Sequence, residues 1–210
     1  MPAPIYQNKT KYRRLRPIAL KMKKIAILAS GSGTNAENIA RYFKDSGKAE
    51  VSLILSNNPD AGVIRRARKL SIPVLLFDRT TFYETDRIPD ILCKTGIDLV
   101  VLAGFMMLIP KNLTGPFEGR MINIHPALLP KFGGKGMYGD HVHNAVVAAG
   151  ETETGITIHY VNEHYDEGQV IFQASCPVLP SDSPDAVAAR VHELEYRHFP
   201  VVIEKILESL

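Results

Sequence analysis

Five short apolar runs, each separated from the next by a segment of helical period, constrain this chain more than any other feature. They are Lys24–Ser30 (KIAILAS), Val51–Ser56, Val74–Phe77, Leu99–Ala103 (LVVLA) and Met121–His125. Continuous apolar runs of this length are what strands buried on both faces require. Helical patterns lie between them, at about Ala36–Asp45, Ala61–Leu70 and Thr81–Lys94, where Pro89 marks a break or a late start, with a short turn or helix at Lys111–Phe117. The basic residues Arg65, Arg66, Arg68 and Lys69 read as a solvated helix face. Strand and helix in alternation predict an α/β domain with a mostly parallel, doubly wound (Rossmann-like) sheet and helices on both faces.

The chain then changes character. Thr154–Tyr160 alternates and Gln169–Pro177 is strand-like, with the polar turn Asn162–Gly168 between them. An antiparallel hairpin is expected at this C-terminal side of the sheet. Ser183-Pro184-Asp185 then opens a long helix, a capping residue followed by proline at the first position. Val187, Val191, Leu194, Val201 and Ile206 keep helical spacing, and Pro200 is expected to kink it.

A chain of 210 residues with 45% apolar composition fits one domain with a substantial core. The formal net charge of +3 is too small for a nucleic-acid footprint unless it clusters. It does cluster, at the N-terminus, in Lys9, Lys11, Arg13, Arg14, Arg16, Lys21, Lys23 and Lys24. Residues 1–21 are read as a flexible basic extension, consistent with an upstream start before Met22, and 22–210 as the domain. No run there suits a signal peptide or a membrane span. Cys93 and Cys176 lie far apart without metal-ligand spacing and read as reduced packing residues of a cytoplasmic protein. No membrane or nucleic-acid partner is expected.

Three segments at the ends of expected strands carry chemistry. Gly31-Ser32-Gly33-Thr34-Asn35 joins the first strand to a helix, a place where backbone N–H groups hold an anion, most simply a phosphate. The turn also fits a dinucleotide fingerprint ending at Ala36, but the second strand ends in Ser56-Asn57-Asn58-Pro59, without the carboxylate a ribose needs. A glycine turn with no ligand is the remaining alternative. The apolar loop Gly104–Pro110 is either core or the wall of a flat aromatic ligand. Asn123 and His125, two apart on a strand, project from one face, an amide beside a group that titrates near neutrality. They are either satisfied polar groups or a catalytic pair. In a doubly wound sheet all three segments meet at the crevice outside the strand ends. Pro126–Asp140 has the length and glycine content of a lid or binding loop. His141-x-His143 lacks the companions of a metal site, and no metal is expected.

Asn123, His125, His159 and Asp166 together suggest an imidazole whose pKa a carboxylate raises, beside an amide for an oxyanion. With no serine or cysteine nucleophile placed, direct acyl transfer to a phosphate-bearing amine is expected.

Asn123-Ile124-His125-Pro126 with Leu128-Leu129-Pro130 resembles the signature of the folate-dependent formyltransferase family. Ser30-Gly31-Ser32-Gly33-Thr34-Asn35, Ala103-Gly104-Phe105-Met106 and Tyr165-Asp166-Glu167-Gly168 are similar to its phosphoribosylglycinamide formyltransferase branch, over about Lys24–Leu207. The resemblance implies transfer of a formyl group from 10-formyltetrahydrofolate, a co-substrate and not a bound cofactor, to 5'-phosphoribosylglycinamide in purine (IMP) biosynthesis, by a monomer or homodimer. It implies Asn123, His125 and Asp166 as catalytic residues, with Asp166 raising the histidine pKa. It implies Gly33, Thr34 and Asn35 with His192, Glu193, Leu194 and Glu195 for phosphoribosylglycinamide. For folate it implies Met106, Met107, Leu108 and Ile109, with Asn123, and Asn162, Glu163, His164, Tyr165 and Asp166.

The chain departs from the family pattern at Met107, where arginine is frequent, and at Phe82–Glu84, where a second arginine is common. Met107 offers no charge-assisted bond to a carboxylate. Glu167 stands where the family usually has glycine and adds a charge beside Asp166. Two sister activities share this chemistry, on methionyl-tRNA and on formyltetrahydrofolate with water. They normally carry an added domain for which this chain has no room. A non-catalytic nucleotide-binding module is the alternative of another class, and Asn123, His125 and Asp166 speak against it.

Overall fold

The computed structural model describes residues 22–210; the expected basic extension lies outside the described residues. Seven strands form one sheet: β1 (Lys23–Leu28), β2 (Ala49–Ser56), β3 (Val74–Leu76), β4 (Leu99–Leu102), β5 (Met121–His125), β6 (Glu153–Tyr160) and β7 (Val170–Pro177). Their spatial order is β3-β2-β1-β4-β5-β6-β7. β1 to β5 pair in parallel, and β6 and β7 join antiparallel. The doubly wound sheet and the C-terminal hairpin expected from the sequence are both present.

The first strand shows why the runs are unbroken. Ile25, Ala26, Ile27 and Leu28 are all fully buried, because helices cover both faces. Ile25 and Ile27 enter one core, with Ile39 and Phe43 of α1 (Thr34–Ser46), Val63 of α2 (Gly62–Lys69), Val142 of α6 (Asp140–Ala148) and Val191 of α7 (Pro184–Ser209). Ala26 and Leu28 enter the other, with Phe82 of α3 (Arg79–Glu84), Leu92 of α4 (Arg87–Thr95) and Leu113 of α5 (Lys111–Thr114). Each such aliphatic side chain contributes roughly 1.5–3 kcal/mol of transfer free energy.

Prolines fall where their missing N–H is tolerated. Pro89 lies in the first turn of α4, where no intrahelical acceptor exists. Pro184 follows the Ser183 cap, whose side chain accepts the Ala186 N–H. α7 runs through Pro200 as one helix. The Tyr196 carbonyl, which Pro200 cannot serve, accepts the Asn38 side-chain amide at 2.9 Å instead.

Strand order reverses between β1 and β4, so the chain leaves their C-terminal ends in opposite directions and opens a crevice there. Ala103 N–H donates to Leu28 O at 3.0 Å and Ser30 N–H to Gly104 O at 2.9 Å, tying the two exits together at its floor. Among the described residues no helix is long and apolar enough to cross a membrane.

Candidate active site

The crevice holds a cavity of about 300 Å³, walled by Gly31–Asn35, Ala103–Met106, Asn123–Pro126, parts of the 134–143 segment, Tyr165, Asp166, His192 and Glu195. The three strand-end segments that carried chemistry in the sequence do converge.

On one side is the glycine turn. Gly33 has φ +76°, and a Cβ there would lie 2.5 Å from the Val63 side chain, so only glycine fits. This conformation starts α1 at Thr34 and presents first-turn N–H groups that have no acceptor within the helix. The Asn35 amide donates to Glu195 Oε2 at 2.9 Å, and His192 Nδ1 meets the same oxygen at 2.8 Å. The bond to Glu195 raises the His192 pKa against the opposing effect of burial. Two buried polar atoms of the cavity wall have no partner, Asn35 Oδ1 and His143 Nδ1. Burial, then the neighbouring His192, push the His143 imidazole below its ordinary value.

In the middle are Asn123, His125 and Asp166. The Asn123 side-chain amide donates to His159 Nε2 at 3.1 Å and reaches Asp166 Oδ1 at 3.4 Å. His159 Nδ1–H donates to Tyr160 O at 2.8 Å, which leaves Nε2 as the acceptor. His125, 3% exposed, donates its Nε2–H to Phe132 O at 2.7 Å and turns Nδ1 toward Asp166 Oδ2 at 3.5 Å. Asp166 does act to raise the His125 pKa, as expected, but the net shift is downward. Burial lowers the pKa and outweighs Asp166 and the Phe132 carbonyl, so the resting imidazole is a neutral base. Burial pushes the Asp166 carboxyl up, but His159, His125 and the Gly134 N–H, 2.9 Å away, together hold it below its ordinary value. Asp166 itself has φ +58°, and Gly168 allows the turn that aims it, since a Cβ there would lie 1.6 Å from Tyr160 O.

On the other side is a narrower cavity of about 50 Å³, walled by Leu102, Phe105, Met107–Ile109, Asn123, His159, Val161, Asn162 and His164–Asp166. Phe105, Asn123, Tyr165 and Asp166 face both cavities. An apolar and aromatic slot with a few amide and imidazole groups suits a flat heteroaromatic ring.

Of the residues expected for folate, Met107, Leu108, Ile109, Asn123, Asn162, His164, Tyr165 and Asp166 line this slot, and Met106 lies in the larger cavity. Glu163 lines neither; it is exposed and pairs with Lys111 at 2.8 Å. Of those expected for phosphoribosylglycinamide, Gly33, Thr34, Asn35, His192 and Glu195 line the larger cavity. Glu193 and Leu194 do not, because the helix turns Glu193 to solvent and packs Leu194 against the core. Sequence reasoning missed the Phe132 carbonyl and Gly134 N–H, which carry no residue-type signal. It also missed Tyr138 and His143 as cavity wall, although a histidine just past a glycine-rich loop was available as a signal.

The formyl transferase family model matches residues 23–203. A chloroplastic phosphoribosylglycinamide formyltransferase of Arabidopsis thaliana is 41% identical over 193 residues, 89% of this chain and 66% of that protein. The Vigna unguiculata counterpart is 39% identical, with 63% of its length covered, so the chain spans just under two thirds of these plant relatives. The phosphoribosylglycinamide formyltransferase of Haemophilus influenzae is 39% identical over 90% of this chain and 89% of that protein. Among solved structures, glycinamide ribonucleotide transformylase 1 from Symbiobacterium toebii superposes with a TM-score of 0.82 at 32% identity, covering 90% of this chain and 89% of that one. The Streptococcus pneumoniae phosphoribosylglycinamide formyltransferase gives 0.78 at 37% identity, covering 89% and 99%. Matched along nearly all of its described length, the chain belongs to the formyl transferase family.

Proposed function

We propose that this chain transfers the formyl group of 10-formyltetrahydrofolate to the amine of 5'-phosphoribosylglycinamide, giving the N-formyl product and tetrahydrofolate in de novo purine biosynthesis. The observation that carries the proposal is that Asn123, His125 and Asp166 stand together where an anion-suited cavity meets an apolar slot. The phosphate sits on the first N–H groups of α1 at Gly33–Asn35, with His192 and Glu195 on the ribose side. The pterin ring fills the slot between Met107–Ile109 and Asn162–Asp166. Both reactants thereby reach the same point, which replaces a bimolecular encounter by a positioned one.

The amine nitrogen attacks the formyl carbon, forming a C–N bond and a tetrahedral oxyanion. The Asn123 amide has two hydrogens; the one directed at Asp166, with nitrogen and oxygen 3.4 Å apart, makes the weaker contact and is free to turn to that oxyanion. His125 is neutral and its Nε2–H is held by Phe132, so Nδ1 takes the proton from the attacking amine. Asp166, opposite Nδ1, stabilises the imidazolium that results. The bond from the formyl carbon to N10 then breaks, and N10 leaves with the proton returned by His125. No covalent enzyme intermediate is required. The free thiols Cys93 and Cys176 suit a reducing, cytoplasmic setting for this activity.

The test is a spectrophotometric assay of purified protein with 10-formyltetrahydrofolate and phosphoribosylglycinamide. Tetrahydrofolate release that depends on phosphoribosylglycinamide is expected. Release at the same rate without it, or formylation of charged methionyl-tRNA instead, would replace this reading by one of the sister activities.

A further inference from the structure

One basic side chain expected on a solvated helix face is folded back onto the glycine turn. On α2, Arg65, Arg68 and Lys69 are exposed, whereas Arg66 is partly buried. Its Nε–H donates to Ser32 O at 2.9 Å, and its terminal nitrogen pairs with the Glu37 carboxylate. Glu37 lies in the first turn of α1, its own N–H closing on Gly33 O at 3.0 Å. Arg41 holds the other carboxylate oxygen through Nε at 3.1 Å and a terminal nitrogen at 2.7 Å. Arg41 first, then Arg66, keep the Glu37 carboxyl below its usual range, so it is ionised at neutral pH.

We infer that Arg66 is a positioning residue for the phosphate, setting its affinity by cancelling the charge of Glu37 at the end of α1 where the phosphate binds. This rests on the proposed seat of the phosphate at Gly33–Asn35. A carboxylate in a first turn is favoured by the helix dipole, but it competes with any other anion drawn to the same N–H groups. Glu37 is one helical turn from Gly33, close enough for a dianion to feel its charge. With both arginines in place the three-residue cluster is net positive. Without Arg66 it is neutral, and the Ser32 carbonyl beside the phosphate loses its donor. Arg66 lines neither cavity, so it acts through Ser32 and Glu37 without touching substrate.

The experiment compares wild type, R66A, R66K, E37Q and the E37Q/R66A double variant. It measures inorganic phosphate binding by calorimetry, and kcat and KM for both substrates. R66A is expected to weaken phosphate and raise KM for phosphoribosylglycinamide at least tenfold, with kcat and the donor KM within twofold. R66K recovers part of the loss. E37Q/R66A recovers most of it, which a purely structural brace would not do. Phosphate affinity in R66A within twofold of wild type, or a double variant no better than R66A, overturns the inference. Should R66A fail to fold, E37Q alone decides: with Arg66 present it must bind phosphate more tightly than wild type, and unchanged affinity overturns the inference. Wild type that binds phosphate with this pattern yet transfers no formyl group refutes the proposed function and leaves the inference standing. Wild type that binds no phosphate removes both the seat and the inference.

Discussion

The Nε2–H of His125 donates to the carbonyl of Phe132 at 2.7 Å, from a backbone held at φ +56°. Asp166, on the other side of the ring, is also left-handed, at φ +58°. Two non-glycine residues in a region costing of order 1–3 kcal/mol each thus clamp one imidazole, and the surrounding loops hold that strain. The effect is to fix which nitrogen is free: Nε2 is committed, and Nδ1 faces the carboxylate at 3.5 Å.

Replacing His125 by alanine is expected to lower kcat by about 10²–10⁴, the range general acid–base catalysis contributes. The far-ultraviolet circular dichroism should stay that of the folded chain. Turnover within tenfold of wild type would remove His125 from the proton path.

Asp166→Asn separates charge from shape. Asparagine tolerates the left-handed conformation and can still accept the Gly134 N–H. What it lacks is the negative charge that opposes burial at His125. The His125 pKa therefore falls further, and the acid limb of kcat/KM, where the base becomes protonated, moves to lower pH. Turnover falls as well, because the imidazolium loses its counter-charge. A pH–rate profile superimposable on wild type sinks this role for Asp166.

The sheet was legible because its grammar is periodic: Lys24–Ser30 and Leu99–Ala103 are too short and too apolar to be anything but buried strands. Asn123 and His125 were legible through strand parity, which puts both on one face. Other features depend on the path of the chain. The Phe132 carbonyl and Gly134 N–H belong to the backbone, and Arg66 looks like its neighbours until the helix is placed against the turn. Leu194 and Glu193 fall beside His192 and Glu195 in sequence but on other sides of α7. The direction of the His125 shift could not be read without burial, since a carboxylate and a dry site pull it opposite ways.

Gly33→Ala tests the turn. The substitution needs a left-handed alanine and a Cβ 2.5 Å from Val63 Cβ and 2.6 Å from its Cα, so backbone must move. A loss of about 1–3 kcal/mol is expected, mostly from strain and overpacking. For a chain of this size that lowers Tm by about 2–12 °C. KM for phosphoribosylglycinamide should rise with it, as the first turn of α1 is displaced. An unchanged Tm and KM would mean the turn adapts freely and is no rigid anion seat.

Stability itself should peak near pH 6.5, and histidines set both sides. His125 and His143 are pushed down chiefly by burial, and His198 by burial and then Arg197. For a depressed pKa the stabilisation is full above the unfolded value of about 6.5 and is lost as pH falls, because the unfolded chain takes up protons first. His192, raised by its bond to Glu195, acts the other way. Its contribution is full below about 6.5 and disappears as pH rises through the folded pKa. Carboxylates held low, Asp166 and Glu37 among them, enter only below about pH 4.5 and do not disturb this window. Urea midpoints between pH 5 and 8 should therefore decline on both sides of 6.5. His143→Gln, which removes one buried imidazole, should flatten the acid side. His192→Gln should flatten the alkaline side, with a smaller flattening of the acid side because His192 helps to hold His143 low. If His192→Gln leaves the decline above pH 6.5 as steep as in wild type, the Glu195 pair does not raise this histidine.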